Sequence, residues 1–250
     1  MPTFRHGKTT RLFFDQYDLS SMFRSAGVAV PVDVAETSAF GTQAKTYVTG
    51  MKGGTISSEG MFSGGAGEVD VVLAGILGAE AKSNLIVAQD GGATLGRRCW
   101  MGQVTGTNYQ VSSPVSDIVS VTADFQVDSG VDFGYLLHGA TQETATVNST
   151  SVDWGAASTT SVGGALFMCM YANNRDAGSA IVKLMDSADN SAFADVTGGA
   201  FSSVGFGALS TQRIQLLTST SVRRYTRSTI TVTGGTTGGY TFIFGFAKRF

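Results

Sequence analysis

Between Val119 and Asp128 the chain alternates strictly. Val119, Val121, Ala123, Phe125 and Val127 are apolar, and Ser120, Thr122, Asp124, Gln126 and Asp128 between them are polar. A period of two is the signature of a strand with one face on a core and the other toward water or a partner. Val28, Val30, Val32 and Val34 repeat the pattern around Ala29, Pro31 and Asp33. Further strands are predicted at Leu12–Phe14, Thr46–Val48, Gly54–Phe62, Leu85–Val87 and Arg98–Val111. Composition agrees. Of 250 residues, 33 are Gly and 3 are Pro, and Ser and Thr are abundant, as expected of a β protein with tight turns. Charged residues are only 14%, against about 25% in ordinary soluble domains. Such a surface suits cover by neighbours.

One segment departs from the strand pattern. Val69, Val72, Leu73, Ile76 and Leu77 fall at helical spacing, and Glu68 and Asp70 stand where the first turn would be. The spacing predicts a helix from about 66 to 81. From Gly139 to Ser161 the chain turns Ser- and Thr-rich with little apolar content, reading as a linker or loose strand. A second series of strands follows at Ala165–Ala172, Ala180–Asp186, Phe193–Val196, Gln212–Leu217, Val222–Thr233 and Tyr240–Ala247. The expected organisation is a β domain over 1–140 with one flanking helix, a linker over 141–160, and a small β-sandwich, jelly-roll-like, over 161–250.

The motifs that would carry chemistry fail on inspection. His6-Gly7-Lys8-Thr9-Thr10 imitates the end of a phosphate loop, but the required earlier Gly would be position 2, which is Pro. Gly91-Gly92-Ala93-Thr94-Leu95-Gly96 misses the dinucleotide spacing and reads as a turn. His6 and His138, the only histidines, stand far apart without a metal-ligand spacing. Asp186-Ser187-Ala188-Asp189-Asn190 lacks the Gly and terminal Glu of a helix-loop-helix calcium site and reads as a hairpin turn. Cys99 and Cys169 lie in apolar company and read as buried thiols, although a bridge between them stays open. No cofactor, metal or catalytic group is expected, and the chain is read as a non-enzyme. No apolar run follows the basic N-terminus, and none is long enough to span a bilayer, so neither export nor membrane insertion is expected. The one basic cluster, Arg223-Arg224-Tyr225-Thr226-Arg227, places Arg223, Tyr225 and Arg227 on one face if it is a strand. That face is open to phosphate, an acidic glycan, a neighbouring subunit, or simple packing of Arg stems along a sheet.

The order of motifs in the first 140 residues carries a resemblance. Lys8-Thr9-Thr10-Arg11-Leu12 leads to Tyr17-Asp18-Leu19-Ser20-Ser21-Met22-Phe23, then to Glu36-Thr37-Ser38-Ala39-Phe40-Gly41. Ala44-Lys45-Thr46-Tyr47-Val48-Thr49-Gly50 and Gly54-Thr55-Ile56-Ser57-Ser58-Glu59-Gly60-Met61-Phe62 follow. This series resembles the major tail-tube proteins of long-tailed bacteriophages, with the segment after 140 as an added β domain. The resemblance implies a sandwich or barrel-like subunit closing into rings, usually hexameric, that stack around a lumen conducting viral DNA. It implies partners as well: further copies of the chain, tape-measure, tail-terminator and baseplate proteins, and DNA passing transiently. The place would be the virion tail, with assembly in the host cytoplasm. A capsid decoration or head–tail connector protein is the rival within virions, and a glycan-binding module the rival outside that class. Residues 1–140 hold 9 Lys/Arg and 13 Asp/Glu, whereas residues 141–250 hold 8 and 6. An acidic lumen repels phosphate, so Asp124, Gln126 and Asp128 are the lumen candidates. Asp33, Glu36, Phe40, Lys45 and Tyr47 mark a candidate arm between rings.

Overall fold

In the computed structural model of the chain, residues 6–38, 44–155 and 162–249 are described. After a 3-10 turn at Gly7–Thr9 come β1 (Arg11–Phe14), β2 (Tyr17–Asp18), β3 (Phe23–Ala29), β4 (Val32–Glu36), β5 (Tyr47–Lys52) and β6 (Thr55–Met61). The helix α1 (Val69–Ala74) precedes β7 (Ser83–Ala88), β8 (Arg98–Ser112) and β9 (Ser120–Glu143). Then follow β10 (Val147–Asn148), β11 (Val152–Asp153), β12 (Gly164–Asn173), β13 (Ser179–Ser187) and β14 (Ala194–Ala200). The chain ends with β15 (Val204–Gly205), β16 (Ser210–Leu216), β17 (Tyr225–Thr233) and β18 (Tyr240–Lys248). The fold is mainly β and built of several sheets.

Two units are interleaved along the chain. Unit 1 takes Met1–Ser21, Asn84–Met101 and Asp132–Phe250, and unit 2 takes Met22–Ser83 and Gly102–Val131. The strands β8 and β9 each begin in one unit and end in the other. Of the segment 141–160, expected to link two domains, the described residues 141–155 lie within unit 1, where β10 and β11 both pair with β17.

In unit 1, strands run in the order β16-β12-β18-β9-β8-β7-β1-β2, and a second sheet runs β10-β17-β13-β14. The alternation along β12 explains the packing. Leu166, Met168 and Met170 enter one apolar cluster, and Ala165, Phe167 and Cys169 enter another. The first cluster lies between the two sheets, where Phe242, Phe244 and Phe246 of β18 meet Ala180, Val182 and Leu184 of β13 and Ile230 of β17. The second holds Phe13, Ile86, Cys99, Met101 and Leu136 from strands farther along the same sheet. That sheet therefore curls over its own face, and the rings of Phe13 on β1 and Tyr171 on β12 lie 5.3 Å apart. Both cysteines are buried free thiols, and burial pushes each thiol well above its ordinary range.

In unit 2, β3 pairs with β6, and β6 pairs with the first half of β9. The helix is much shorter than 66–81. Gly75 closes it, and Gly78 follows at φ +70, a left-handed conformation that costs a side-chain-bearing residue but not Gly. Glu68 offers no side-chain cap; its carboxylate turns back to accept from the Gly65 N–H at 2.8 Å. Beyond the helix, Leu77 makes a parallel bridge to Gly106 of β8. Tyr109 donates to Asp70 at 2.8 Å, tying α1 to the same strand.

Candidate assembly surfaces

The segments 23–36 and 47–61 form one antiparallel ribbon. Its base is the β3–β6 pair, and its outer part is the β4–β5 hairpin, with Gly53 N–H donating to Pro31 O at 2.9 Å at the junction. The hairpin has register Val34↔Thr49, Ala35↔Val48 and Glu36↔Tyr47, and every residue of both strands is exposed. β4 and β5 pair only with each other, so both outer edges are unpaired among the described residues. Val34 is 61% exposed, Val48 57%, Tyr47 55% and Met51 80%. By alternation and register, Val34 and Tyr47 stand on one face and Ala35 and Val48 on the other, and a register shift between Val32 and Val34 interrupts the alternation before Met51. Isolated two-stranded hairpins are marginal in water, and bare edges with apolar faces invite pairing with another chain.

Asp33, Glu36, Lys45 and Tyr47 all lie on this hairpin or its flank. Lys45 Nζ meets Glu36 Oε2 at 3.1 Å in an exposed ion pair. Such an exposed pair contributes roughly 1 kcal/mol at most. Phe40 lies outside the described residues. Val48, at the end of the predicted strand Thr46–Val48, and Met51 were not among the arm candidates, although both are exposed on this hairpin.

A second surface is the open face of β6 and β9. Val121, Ala123, Phe125 and Val127 are buried, and Asp124, Gln126 and Asp128 are exposed, as the alternation requires. Asp124 Oδ2 accepts from Asn108 Nδ2 at 3.0 Å, and Gln126 Nε2 donates to Gly54 O at 2.8 Å. Their cross-strand neighbours on β6 are Ser57 for Asp124 and Thr55 for Gln126, with Glu59 opposite Thr122. The next strand adds Ser25, Gly27 and Ala29 opposite Glu59, Ser57 and Thr55. No Lys or Arg occupies these register positions, so the face is small, polar and acidic. Thr55, Ser57 and Glu59 belong to it equally; their alternation with Ile56, Ser58 and Gly60 was the available signal.

The basic cluster is divided by the fold. Arg223 precedes β17, while Tyr225 and Arg227 lie on it, half-buried. Arg223 wraps the buried Asp186 carboxylate, with Nε 2.8 Å and NH2 2.6 Å from Oδ1, and its own N–H donates to Oδ2 at 2.7 Å. Arg227 lies over the Phe193 ring at 4.0 Å. Arg224 makes a two-pronged pair with Asp153, both contacts at 2.7 Å. That pairing is the main reason the Asp153 carboxyl sits at about 2, below its ordinary 3.8. A depressed folded value stabilises the fold above the unfolded value, and the contribution is lost as pH falls through the folded one. The thermal midpoint is therefore expected to fall between pH 4 and 2, and Arg224→Ala to flatten that slope, as read by circular dichroism melts across the range. An unchanged slope in the variant would contradict the assignment.

Among the described residues no group of three His, Cys, Asp or Glu side chains is placed to hold a metal, and no helix is long and apolar enough to cross a membrane. His138 is buried, its ring stacked on Phe242 and hydrogen-bonded to Glu143 Oε1 at 3.0 Å.

No family model matches the chain, and no curated protein matches it. Among solved structures, a chain of the native gene transfer agent virion is similar over 52% of this chain and 98% of its own, at 14% identity and a TM-score of 0.44. The Dit protein of phage SPP1, described as a paradigm of the hub of the adsorption apparatus in phages infecting Gram-positive bacteria, is similar over 96% of this chain and 99% of its own, at 11% identity and a TM-score of 0.36. A chain of the activated phage p2 baseplate is similar over 96% and 98%, at 8% identity and a TM-score of 0.34. All three TM-scores fall below 0.5.

Proposed function

We propose that the chain is a non-enzymatic structural subunit of a phage tail, forming rings of its own copies that stack around a channel for DNA. The observation that carries this reading is the β4–β5 ribbon, whose apolar side chains and unpaired edges are all exposed. Twelve of the eighteen large apolar side chains exposed among the described residues belong to unit 2, the smaller unit. A monomer rarely leaves so many uncovered, whereas a ring subunit covers them with its neighbours. Edge pairing between copies is heterologous, and it closes when its rotation divides a circle. The acidic face of Glu59, Asp124 and Asp128 supports a channel lining, since DNA phosphates are repelled and slide without adhering. The ordered sequence resemblance over residues 5–140 supports the same reading, with hexamers as the expected ring. Tape-measure, terminator and baseplate proteins are the proposed partners, and the tail of the virion is the proposed place.

Negative-stain electron microscopy and analytical ultracentrifugation of the purified full chain test this. Rings with a central hole, or tubes of stacked rings, are the expected result. Rings that never stack would keep the ring subunit and remove the tube. A protein that stays monomeric at every concentration, even with its tail partners, would sink the proposal.

A further inference from the structure

Two stretches that fail as nucleotide motifs in the sequence meet in unit 1. Lys8, Thr9, Thr10 and Arg11 line one open cleft of about 540 Å³ together with Ser20, Ser21 and the Gly91–Thr94 turn. We infer that this cleft binds a phosphate-type oxyanion, free or carried as an ester on a small polyol.

The cleft is built by close backbone approach. The His6–Thr10 turn is stapled internally, with Lys8 N–H donating to His6 Nδ1 at 3.0 Å and Thr10 N–H to Gly7 O at 2.9 Å. It lies directly on the glycine turn: a Cβ on Gly92, at φ +88, would stand 2.8 Å from Thr9 O. Only glycine allows the two turns to come this near. On the other side Ala140 N–H donates to Ala93 O at 3.0 Å, anchoring the glycine turn to β9.

The charge is one-sided. The lining holds two cations and no carboxylate. Lys8 makes no ion pair among the described residues. Arg11 has only a long contact of 3.9 Å to Asp18, and Asp18 is occupied by Ser20, whose N–H donates to it at 3.0 Å. Donors are in surplus. The backbone N–H groups of Gly92 and Ala93 donate to no protein acceptor among the described residues, and Thr10 and Ser21 add hydroxyls. Two cations, free amides and hydroxyls around a glycine turn match the acceptor-rich, tetrahedral shape of phosphate. The volume lies within the range of small-molecule sites, about 300–1,000 Å³. It leaves room for a substituent beyond the anion itself. This is not a phosphate loop preceding a helix, because β1 follows the Lys8 turn.

The test is isothermal titration calorimetry on the full chain at low ionic strength, with inorganic phosphate in one arm and glycerol 3-phosphate in the other. Saturable binding of either is expected. Tighter binding of the glycerol ester would assign the site to an esterified phosphate, and equal binding to the free ion. Lys8→Gln, an exposed substitution outside any strand, is expected to weaken binding by about tenfold, as loss of one charge-assisted contact does. Arg11→Gln serves as the second variant, with its fold checked by an unchanged melting curve. No saturable heat from either ligand, or equal affinity in both variants and the wild type, would overturn the inference. Ring formation is read separately, so failure here leaves the assembly proposal standing.

Discussion

Replacing Arg175 by alanine is expected to lower the thermal midpoint of the protein by roughly 10 °C. Arg175 is a buried guanidinium between β12 and β13 whose described partners are backbone carbonyls. NH1 donates to Thr144 O at 2.8 Å and Gly238 O at 3.0 Å, and NH2 to Gly234 O at 3.0 Å and Gly235 O at 2.9 Å. One side chain thus holds the segment after β9 and the β17–β18 turn against the β12–β13 turn. Its neighbours repeat the grip: Asn174 Oδ1 accepts from Gly239 N–H at 2.8 Å, and Asp176 Oδ1 from Thr236 N–H at 2.9 Å. Gly238 comes so close that a Cβ would stand 2.0 Å from Asn174 O. A hydrogen bond from a charged donor contributes about 1.5–3 kcal/mol. Losing four while leaving carbonyls unpaired costs about 3–5 kcal/mol after partial rehydration. At about 2–4 °C per kcal/mol for a chain of this size, the midpoint falls by the stated amount. Arg175→Lys is expected to recover little, because a compact ammonium cannot span four carbonyls held in a fork. A shift below about 2 °C in scanning calorimetry would show that the turns hold without the guanidinium.

That clamp also marks where sequence reasoning ends. The strands β12, β13, β17 and β18 were readable because each is an apolar or alternating run bounded by Gly, Asn or Ser. Phe242-Ile243-Phe244 has no alternation, and none is needed, since β18 is buried on both faces. Arg175 gave no such signal. Its partners are carbonyls up to 63 residues away, and a carbonyl is the same in every residue. The same limit hid the second half of β9. Ser129 and Gly130 have φ values of 59 and 85 and read locally as a turn, yet the strand continues to Glu143. What carries it on is pairing with β18 and the grip of Arg249 on Asp132, 2.7 Å and 117 residues away. The helix erred in the opposite sense: the apolar spacing was real, but the helix closes at Gly75, before Ile76 and Leu77 could join it. Of the candidate surfaces, the open face of β9 was readable to the residue, because alternation alone decides it. The exposure of Thr55, Ser57 and Glu59 was signalled by their own alternation, but their place beside Asp124 and Gln126 required the register between β6 and β9, which no single strand encodes.

The Val28–Val34 alternation posed a different problem, and it leads to the second large effect. Period two predicts one face on a core, but β4 and β5 find none among the described residues: their apolar side chains face solvent on both sides. In the proposed ring the missing core belongs to the neighbouring copy. Tyr47→Asp with Met51→Asp is then expected to abolish ring formation while leaving the monomer's melting curve within about 1 °C of the wild type. Both side chains are exposed, so the monomer loses little, as is usual for surface substitutions at about 0.5 kcal/mol or less. In the assembly each would forfeit about 1.5–3 kcal/mol of apolar burial and bring an unpaired carboxylate into the contact. The combined loss exceeds about 3 kcal/mol per contact, more than a hundredfold in association. Because a closed ring needs every contact, the penalty recurs around it. Sedimentation velocity on the variant should show monomer at concentrations where the wild type forms rings. Rings of undiminished stability would mean that the hairpin is not the contact, and the exposed loop around Val115 and Ile118 of the same unit would take its place as the surface to mutate.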